Sequence, residues 1–180
     1  MNERTANVIS LLKRLLRPKG DDLSPCRPLW HRVVELSRDP AWYAQDGIAD
    51  TVAGRFDAIT LVLSTVLLRM EGEAALVEPS VRLTELFVDD MDGQLRQSGV
   101  GDVVVGKRMG KLMSALGGRL GAYRDALASA DNGLLEQAIS RNVTFNEGAG
   151  PAGAAQRVRH FHESLPGKSA EAILAGDIAL

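Results

Sequence analysis

Residues 48–70 read IADTVAGRFDAITLVLSTVLLRM, and this stretch decides the fold. Its apolar residues recur at spacings of three and four, which is the period of an α-helix. Leu61 and Leu68 make the opposite side apolar as well. A helix that is apolar nearly all round must be covered on most sides, so we place it at the centre of a helical bundle. Its uncharged run, residues 58–68, is shorter than the roughly 20 residues that a membrane span needs, and we predict no transmembrane helix.

The other long segments keep the helical spacing, and no alternating strand pattern interrupts them. We predict an all-α fold, in which one domain over residues 28–180 is a bundle of six or seven helices around the central apolar helix at about 48–70. An arm and linker, residues 1–27, precede it. Ser80 and Asp102 are placed to cap two helices. Helices are predicted at residues 3–16 in the arm and at 28–38, 80–97, 103–128, 133–141, 152–163 and 169–175 in the domain.

The amino-acid composition and net charge exclude several classes of function. The chain is 45% hydrophobic but only 4% aromatic, which predicts an aliphatic core. Its net charge of -2 gives no general attraction to polyanions, so nucleic-acid binding is not predicted. Cys26 is the single cysteine and has no partner for a disulfide or a thiolate metal site, which fits a reducing compartment. The N-terminus shows no apolar run with a small-residue cleavage site, so we expect a cytoplasmic protein.

The N-terminal arm is amphipathic and basic. Two interpretations are open: the arm lies on an anionic membrane surface, or its apolar face docks on the core of its own domain. The apolar face comprises Val8, Ile9, Leu12, Leu15 and Leu16, and the cations around it are Arg4, Lys13, Arg14 and Arg17.

The segment FVDDMD, residues 87–92, is the least generic part of the chain. At about 100° per residue, Asp90 falls on the apolar face of the helix, whereas Asp89 and Asp92 point away. A buried carboxylate must be paired or hydrogen-bonded. We therefore expect Asp90 to pin a neighbouring element, with Arg119, Lys107, Arg108 and the Gly-rich turn as candidate partners, and the two other aspartates to form an acidic contact patch.

An enzyme is the less favoured interpretation of this cluster. Helical isoprenoid synthases bind magnesium through aspartate-rich helices, but position 93 is Gly and no second aspartate-rich helix is present. His160 and His162 are two residues apart, so on a helix they point in different directions. Neither a Gly-x-Ser-x-Gly elbow nor a phosphate-binding loop occurs. We predict no catalytic residue, no metal and no cofactor.

The predicted helix after Asp102 carries a stripe of small residues beside its apolar stripe. An interior glycine costs a helix roughly 1 kcal/mol relative to alanine, so something must offset that cost. One interpretation is a seam against the protein's own central helix. The other is a groove for a partner helix, with Lys107, Arg108 and Lys111 along its polar edge. The stripe is Gly106, Gly110, Ser114, Gly117 and Gly121.

These segments resemble the ubiquinol-cytochrome c reductase chaperone family, over residues of about 30–145, with the two ends outside the likeness. The acidic segment and the Gly-Val-Gly-Asp turn are its most specific parts. The residues that carry the resemblance are Phe87 to Asp92, Leu95-Arg96, Gly99-Val100-Gly101-Asp102, Gly106-Lys107-Arg108-Met109, Gly118-Arg119 and Ala122-Tyr123.

The resemblance implies a non-enzymatic chaperone of bacterial type, which binds newly made cytochrome b and assists complex III assembly. Contact with the inner-membrane surface, a partner subunit or the ribosome stays open, because the shared residues do not imply it. A membrane-peripheral adaptor and a divergent metal-dependent helical enzyme are the alternatives. The predicted partner-binding residues are Phe87, Asp89, Asp90, Asp92, Arg96, Gly99, Gly101, Asp102, Lys107, Arg108, Lys111, Arg119 and Tyr123.

Overall fold

The computed structural model describes residues 23–97 and 102–180, apart from the side chains of residues 95–97 and 102–109. Over these residues the fold is all-α, as predicted, and contains no β-strand. The arm helix predicted at residues 3–16 lies outside them. The α-helices are α1 (Arg27–Ser37), α2 (Pro40–Ala44), α3 (Val52–Glu71), α4 (Val77–Gln97), α5 (Asp102–Leu127), α6 (Asn132–Asn142), α7 (Ala152–Ser164) and α8 (Ala170–Leu174), and the 3-10 helices are Ser24–Cys26 and Ala74–Leu76.

Helix α3 is the centre of the bundle, which confirms the prediction. Every residue from 57 to 67 is buried, and α1, α4, α5 and α7 pack around it. The helix begins at Val52, four residues later than predicted, because Ile48 pairs with Phe145 in an isolated antiparallel bridge. No helix in the described part of the chain is long and apolar enough to cross a membrane.

Two other helix starts, those of α4 and α2, also differ from the predictions. Helix α4 begins at Val77, and Ser80 lies inside it, donating its hydroxyl hydrogen to the Val77 carbonyl at 2.8 Å instead of capping the helix. Helix α2 was not predicted, because Pro40 was interpreted only as the end of α1. Pro40 is in fact the first residue of α2, and Asp39 caps that helix by accepting a hydrogen bond from the Ala41 amide at 2.8 Å.

Residues beyond 164 pack against two helices of the bundle, α3 and α1. Arg69 of α3 donates to the carbonyl oxygens of Leu165 and Lys168, at 3.2 and 2.9 Å. On the other side, Arg32 of α1 donates to the Ile178 carbonyl at 2.9 Å, which holds the C-terminal residues along α1. The central helix and α1 are therefore both covered by residues beyond 164.

Candidate partner-contact surface

The predicted contact residues that the structure describes lie on the C-terminal part of α4 and along α5. The structure places them in three groups. Phe87 and Tyr123 are buried in the core, and the exposed members are Asp89 and Lys111. Asp90, Asp92 and Arg119 are half-buried. The side chains of Arg96, Asp102, Lys107 and Arg108, and the residues Gly99 and Gly101, lie outside what the structure describes.

Asp90 turns further inward than Asp89, as predicted, but one of its candidate partners, Arg119, is wrong. The other candidates, the side chains of Lys107 and Arg108 and the Gly-rich turn, lie outside the described residues. Asp90 makes no hydrogen bond or ion pair with the described residues, and it borders an open groove beside α1. Arg119 was one candidate partner and lies elsewhere, paired with Asp57. The helical period distinguished Asp90 from Asp89 correctly, but Asp92, which was expected to point away, is half-buried as well. The period carries no information about the side chain that meets Asp90.

The buried ion pair of α5 joins it to the central helix. The Arg119 Nη2 atom lies 2.6 Å from Oδ1 of Asp57, and the two side chains are only 12% and 8% exposed. The other Asp57 oxygen accepts two hydrogen bonds from Thr144, at 2.9 Å from its amide and 2.8 Å from its hydroxyl. Arg119 also donates to the Thr60 hydroxyl, and its guanidinium lies 5.3 Å from the centre of the Phe56 ring. Every polar atom of the carboxylate is therefore satisfied.

Sequence reasoning missed Asp57. A signal was present, because Asp57 is the only charged residue between Phe56 and Leu68 in a helix that is otherwise covered. A charge in such a position must be paired, since a buried charge without a partner costs several kcal/mol in order of magnitude. The role that the structure gives Arg119 is to fix α5 against α3 and the segment after α6.

Tyr123 lies on the same buried side of α5. Its hydroxyl has no hydrogen-bond partner among the described residues, and neither has that of Ser64 on α3. Burial raises the pKa of the Tyr123 phenol above its ordinary value, with Arg119 opposing the shift. The phenol is therefore neutral at pH 7 and acts as a large packing group. Neither Tyr123 nor Phe87 offers a surface to a partner in this conformation.

The small-residue stripe of α5 faces outward. Gly110, Ser114 and Gly117 are exposed, and Gly121 is half-buried. A Cβ atom built on Gly110, Gly117 or Gly121 would meet no heavy atom of the described residues within 4 Å outside its own helix. The interpretation of the stripe as a seam against the central helix is therefore wrong over residues 110–121. We call this surface the glycine face, defined by Gly110, Ser114, Gly117 and Gly121.

A tightly packed glycine shows the contrast. Gly54 lies in the first turn of α3, where an added Cβ would lie 1.9 Å from the Ala49 carbonyl oxygen. That position has no room for a side chain, and the glycine face has room along at least three turns.

One exposed apolar residue, Val52, is 89% exposed at the start of α3. It lies one helical turn before Phe56, on the side of α3 that meets Arg119 of α5.

The remaining His, Cys, Asp and Glu side chains of the described residues do not form a cluster that could serve as a metal site. Within residues 23–97 and 102–180, no group of three or more His, Cys, Asp or Glu side chains is arranged to hold a metal ion. Burial lowers the pKa of His162, and His160 is exposed. Cys26 is buried, and its thiol lies 3.6 Å from the Pro79 carbonyl.

Comparison with known proteins gives this geometry its context. A family model described as ubiquinol-cytochrome c chaperone matches residues 45–178. The chain belongs to that family. The match includes all of α3 to α8, so the expectation that the C-terminal end lies outside the family is wrong.

A solved structure agrees with the family match. The crystal structure of the Cbp3 homolog from Brucella abortus is similar to this chain with a TM-score of 0.76 and 33% sequence identity. The similarity covers 87% of this chain and 88% of the Brucella chain. No curated protein matches the sequence. The glycine face and the Asp57–Arg119 pair both lie inside the matched family region.

Proposed function

We propose that this chain is a non-enzymatic chaperone that binds newly made cytochrome b and assists the assembly of ubiquinol-cytochrome c reductase. Membership of the ubiquinol-cytochrome c chaperone family supports the assembly role. The observation that selects the contact surface is the open glycine face of α5. We place the work of the protein at the cytoplasmic side of the inner membrane, where an apolar client is inserted.

The glycine face suits an apolar helical client for a physical reason. Helices inside membranes pack through small residues, because small side chains allow two backbones to approach closely. Close approach adds dispersion contacts and weak Cα–H···O contacts along the two helices. Each interior glycine costs α5 roughly 1 kcal/mol, and the described chain places nothing over Gly110 or Gly117 that offsets it. Contact with a client helix supplies that compensation in the complex.

Two of the predicted contact residues are charged and exposed. Lys111 is exposed next to Gly110, and Asp89 is exposed on α4. Exposed charges at the rim of an interface mainly affect association rate and register. We assign them, with Asp92 and Lys107, to orienting the client, and we assign the affinity to the glycine face.

The test uses a bulky substitution at the glycine face. The double variant Gly110→Leu, Gly117→Leu keeps or raises its melting temperature, because both positions are open and leucine has a higher helix propensity than glycine. It loses at least about ten-fold in cytochrome b recovered on the tagged protein, which equals about 1.4 kcal/mol. Ser140→Leu is the matched control, because it adds the same apolar bulk at an exposed helical position on a different helix, α6. If the control and the double variant retain equal amounts of cytochrome b, the surface assignment is wrong.

The function itself has a separate test. Deleting the gene lowers assembled complex III and leaves the cytochrome b transcript unchanged, because a chaperone acts after the message is made. Complex III at its normal level in the deletion strain, together with no cytochrome b on the tagged protein, would reject the proposed function.

A further inference from the structure

An Asn-Gly pair begins α6. Asn132 is the first residue of the helix and is exposed, and Gly133 follows it. In this sequence an asparagine side chain reacts readily with the backbone, because glycine has no Cβ to hinder the approach of its amide nitrogen. Asn146 is also exposed, but it precedes Glu147, whose side chain hinders the same reaction. Of these two exposed asparagines, Asn132 is therefore the reactive one.

The side chain of Asn132 joins α6 to α7 through Arg159. The Nε–H group of Arg159 donates a hydrogen bond to Oδ1 of Asn132. The Nη2 atom of the same guanidinium is buried and has no hydrogen-bond partner among the described residues. An amide has one acceptor oxygen and an NH2 donor, so Asn132 does not offer a separate acceptor to each nitrogen. A carboxylate has two acceptor oxygens, in the spacing that matches this side of a guanidinium.

The completed form of such a contact occurs elsewhere in the molecule. Arg124 donates from Nε to one carboxylate oxygen of Glu71 at 3.0 Å and from Nη2 to the other at 2.6 Å. In addition, α6 has no acidic residue in its first turn, where the helix dipole favours negative charge. An aspartate at position 132 would therefore supply the missing acceptor for Arg159 and the missing charge of the first turn.

We propose that Asn132 is a site of spontaneous deamidation, and that its aspartate product forms a two-oxygen ion pair with Arg159. The Gly133 amide nitrogen gives up its proton and attacks the side-chain carbonyl carbon of Asn132. The bond from that carbon to the side-chain nitrogen breaks, and the nitrogen leaves with the proton as ammonia. Water then opens the resulting succinimide ring to a carboxylate, so the chain gains one negative charge without any oxidation or reduction.

The first turn of α6 controls when this reaction takes place. The Gly133 amide donates to Oδ1 of the capping residue Asp131 at 2.8 Å, and the helical backbone keeps its nitrogen away from the side-chain carbon of Asn132. Helix ends fray, so the attack takes place in the minor population whose first turn is open. Once the turn re-forms, the new carboxylate pairs with Arg159 and holds it closed. Release of ammonia makes the change irreversible.

Peptide mapping by mass spectrometry tests the reaction on the purified full chain after incubation at neutral pH and physiological temperature. The peptide that contains Asn132 gains the mass difference between NH2 and OH, and the peptide that contains Asn146 is the internal control and does not. Gly133→Ala is the matched variant and stops the conversion. Its added methyl lies 3.1 Å from Asp131 Oδ1, a contact that a small shift of that exposed side chain relieves.

The variant Asn132→Asp tests the pairing with Arg159 directly. Its melting temperature is higher than that of freshly purified protein by about 2–4 °C, because a charged hydrogen bond is gained in a chain of this length. Asn146→Asp is the matched control, since it makes the same change where no described cation contacts the side chain, and it leaves the melting temperature unchanged. In an Arg159→Lys background the gain from Asn132→Asp is lost, because lysine lacks the forked pair of donors.

Each half of the proposal has a result that overturns it. An unchanged mass at Asn132, or equal conversion in Gly133→Ala, would reject attack by the glycine nitrogen. Equal melting temperatures for Asn132→Asp and the unmodified protein, or a gain that persists in Arg159→Lys, would reject the ion pair. A product that is entirely isoaspartate would reject it too, because the extra backbone methylene does not fit the first turn of a helix. No cytochrome b is present in these measurements, so they are independent of the proposed function.

Discussion

Helices α3 and α5 use glycine in opposite ways. In α3, Gly54 lies against the Ala49 carbonyl, and the rest of the helix is buried from residue 57 to residue 67. In α5, no described residue covers Gly110 or Gly117, and the buried residues form a narrow stripe. The same residue type therefore marks a close contact inside the chain in one helix and an open surface in the other. Only the neighbours in space distinguish the two.

The largest expected change in stability comes from the buried side of α5, which packs against α3. Replacing Arg119 by alanine leaves Asp57 buried without its cation and lowers the free energy of unfolding by about 3–5 kcal/mol. Chemical denaturation of the purified variant measures the change. A decrease of this size in the free energy of unfolding would show that the buried Asp57–Arg119 pair stabilises the contact between α5 and α3.

A second arginine of α5 is the control. Arg124 pairs with Glu71 of α3 at 2.6 Å, but these side chains are 48% and 46% exposed. Such a pair contributes about 0–1 kcal/mol. If Arg124→Ala destabilises the protein as much as Arg119→Ala, burial of the Asp57 pair does not determine its contribution.

The next effect concerns the packed glycine. Gly54→Ala places a Cβ 1.9 Å from the Ala49 oxygen, so the start of α3 must shift away from the preceding turn. Overpacking of this kind costs about 1–3 kcal/mol. A thermal melt compares it with Gly117→Ala. An unchanged melting temperature for Gly54→Ala would contradict the close contact. It would also remove the contrast between the glycine of α3 and those of α5.

The smallest effect has the opposite sign. Gly110→Ala and Gly117→Ala each raise the free energy of unfolding by up to about 1 kcal/mol, because alanine has the higher helix propensity and the added methyl meets no neighbour. Denaturant titration of the isolated protein measures this change in the free energy of unfolding. Destabilisation by either substitution would show that the glycine face is covered in solution.

The sequence predicted the elements better than their neighbours. The central helix was clear because apolar residues surround it, and α7 and α8 were predicted to within one residue at each start. The start of α3 was missed because the Ile48–Phe145 bridge joins residues far apart in the chain. A local pattern contains no signal for such a contact.

The candidate site shows the same division. The period of α4 indicated correctly that Asp90 turns inward and Asp89 outward. It could not supply the partner, and Arg119 turned out to serve Asp57 on a different helix. The glycine stripe was recognised from its spacing, but the side of α5 that meets α3 depends on the assembled bundle. Residue identity therefore predicted which positions are unusual, and three-dimensional packing decided what they contact.

The Asp57 network also has a consequence for the order of events during synthesis. The carboxylate receives its partners from residues 62 and 87 positions later in the chain. Until Arg119 has left the ribosome, burying α3 would leave the Asp57 charge unpaired, and until Thr144 follows, one carboxylate oxygen would lack its two hydrogen bonds. The emerging central helix therefore keeps that end hydrated. The bundle therefore closes late, after most of the chain has been translated, and it is the nascent form of this chaperone that exposes its most apolar helix.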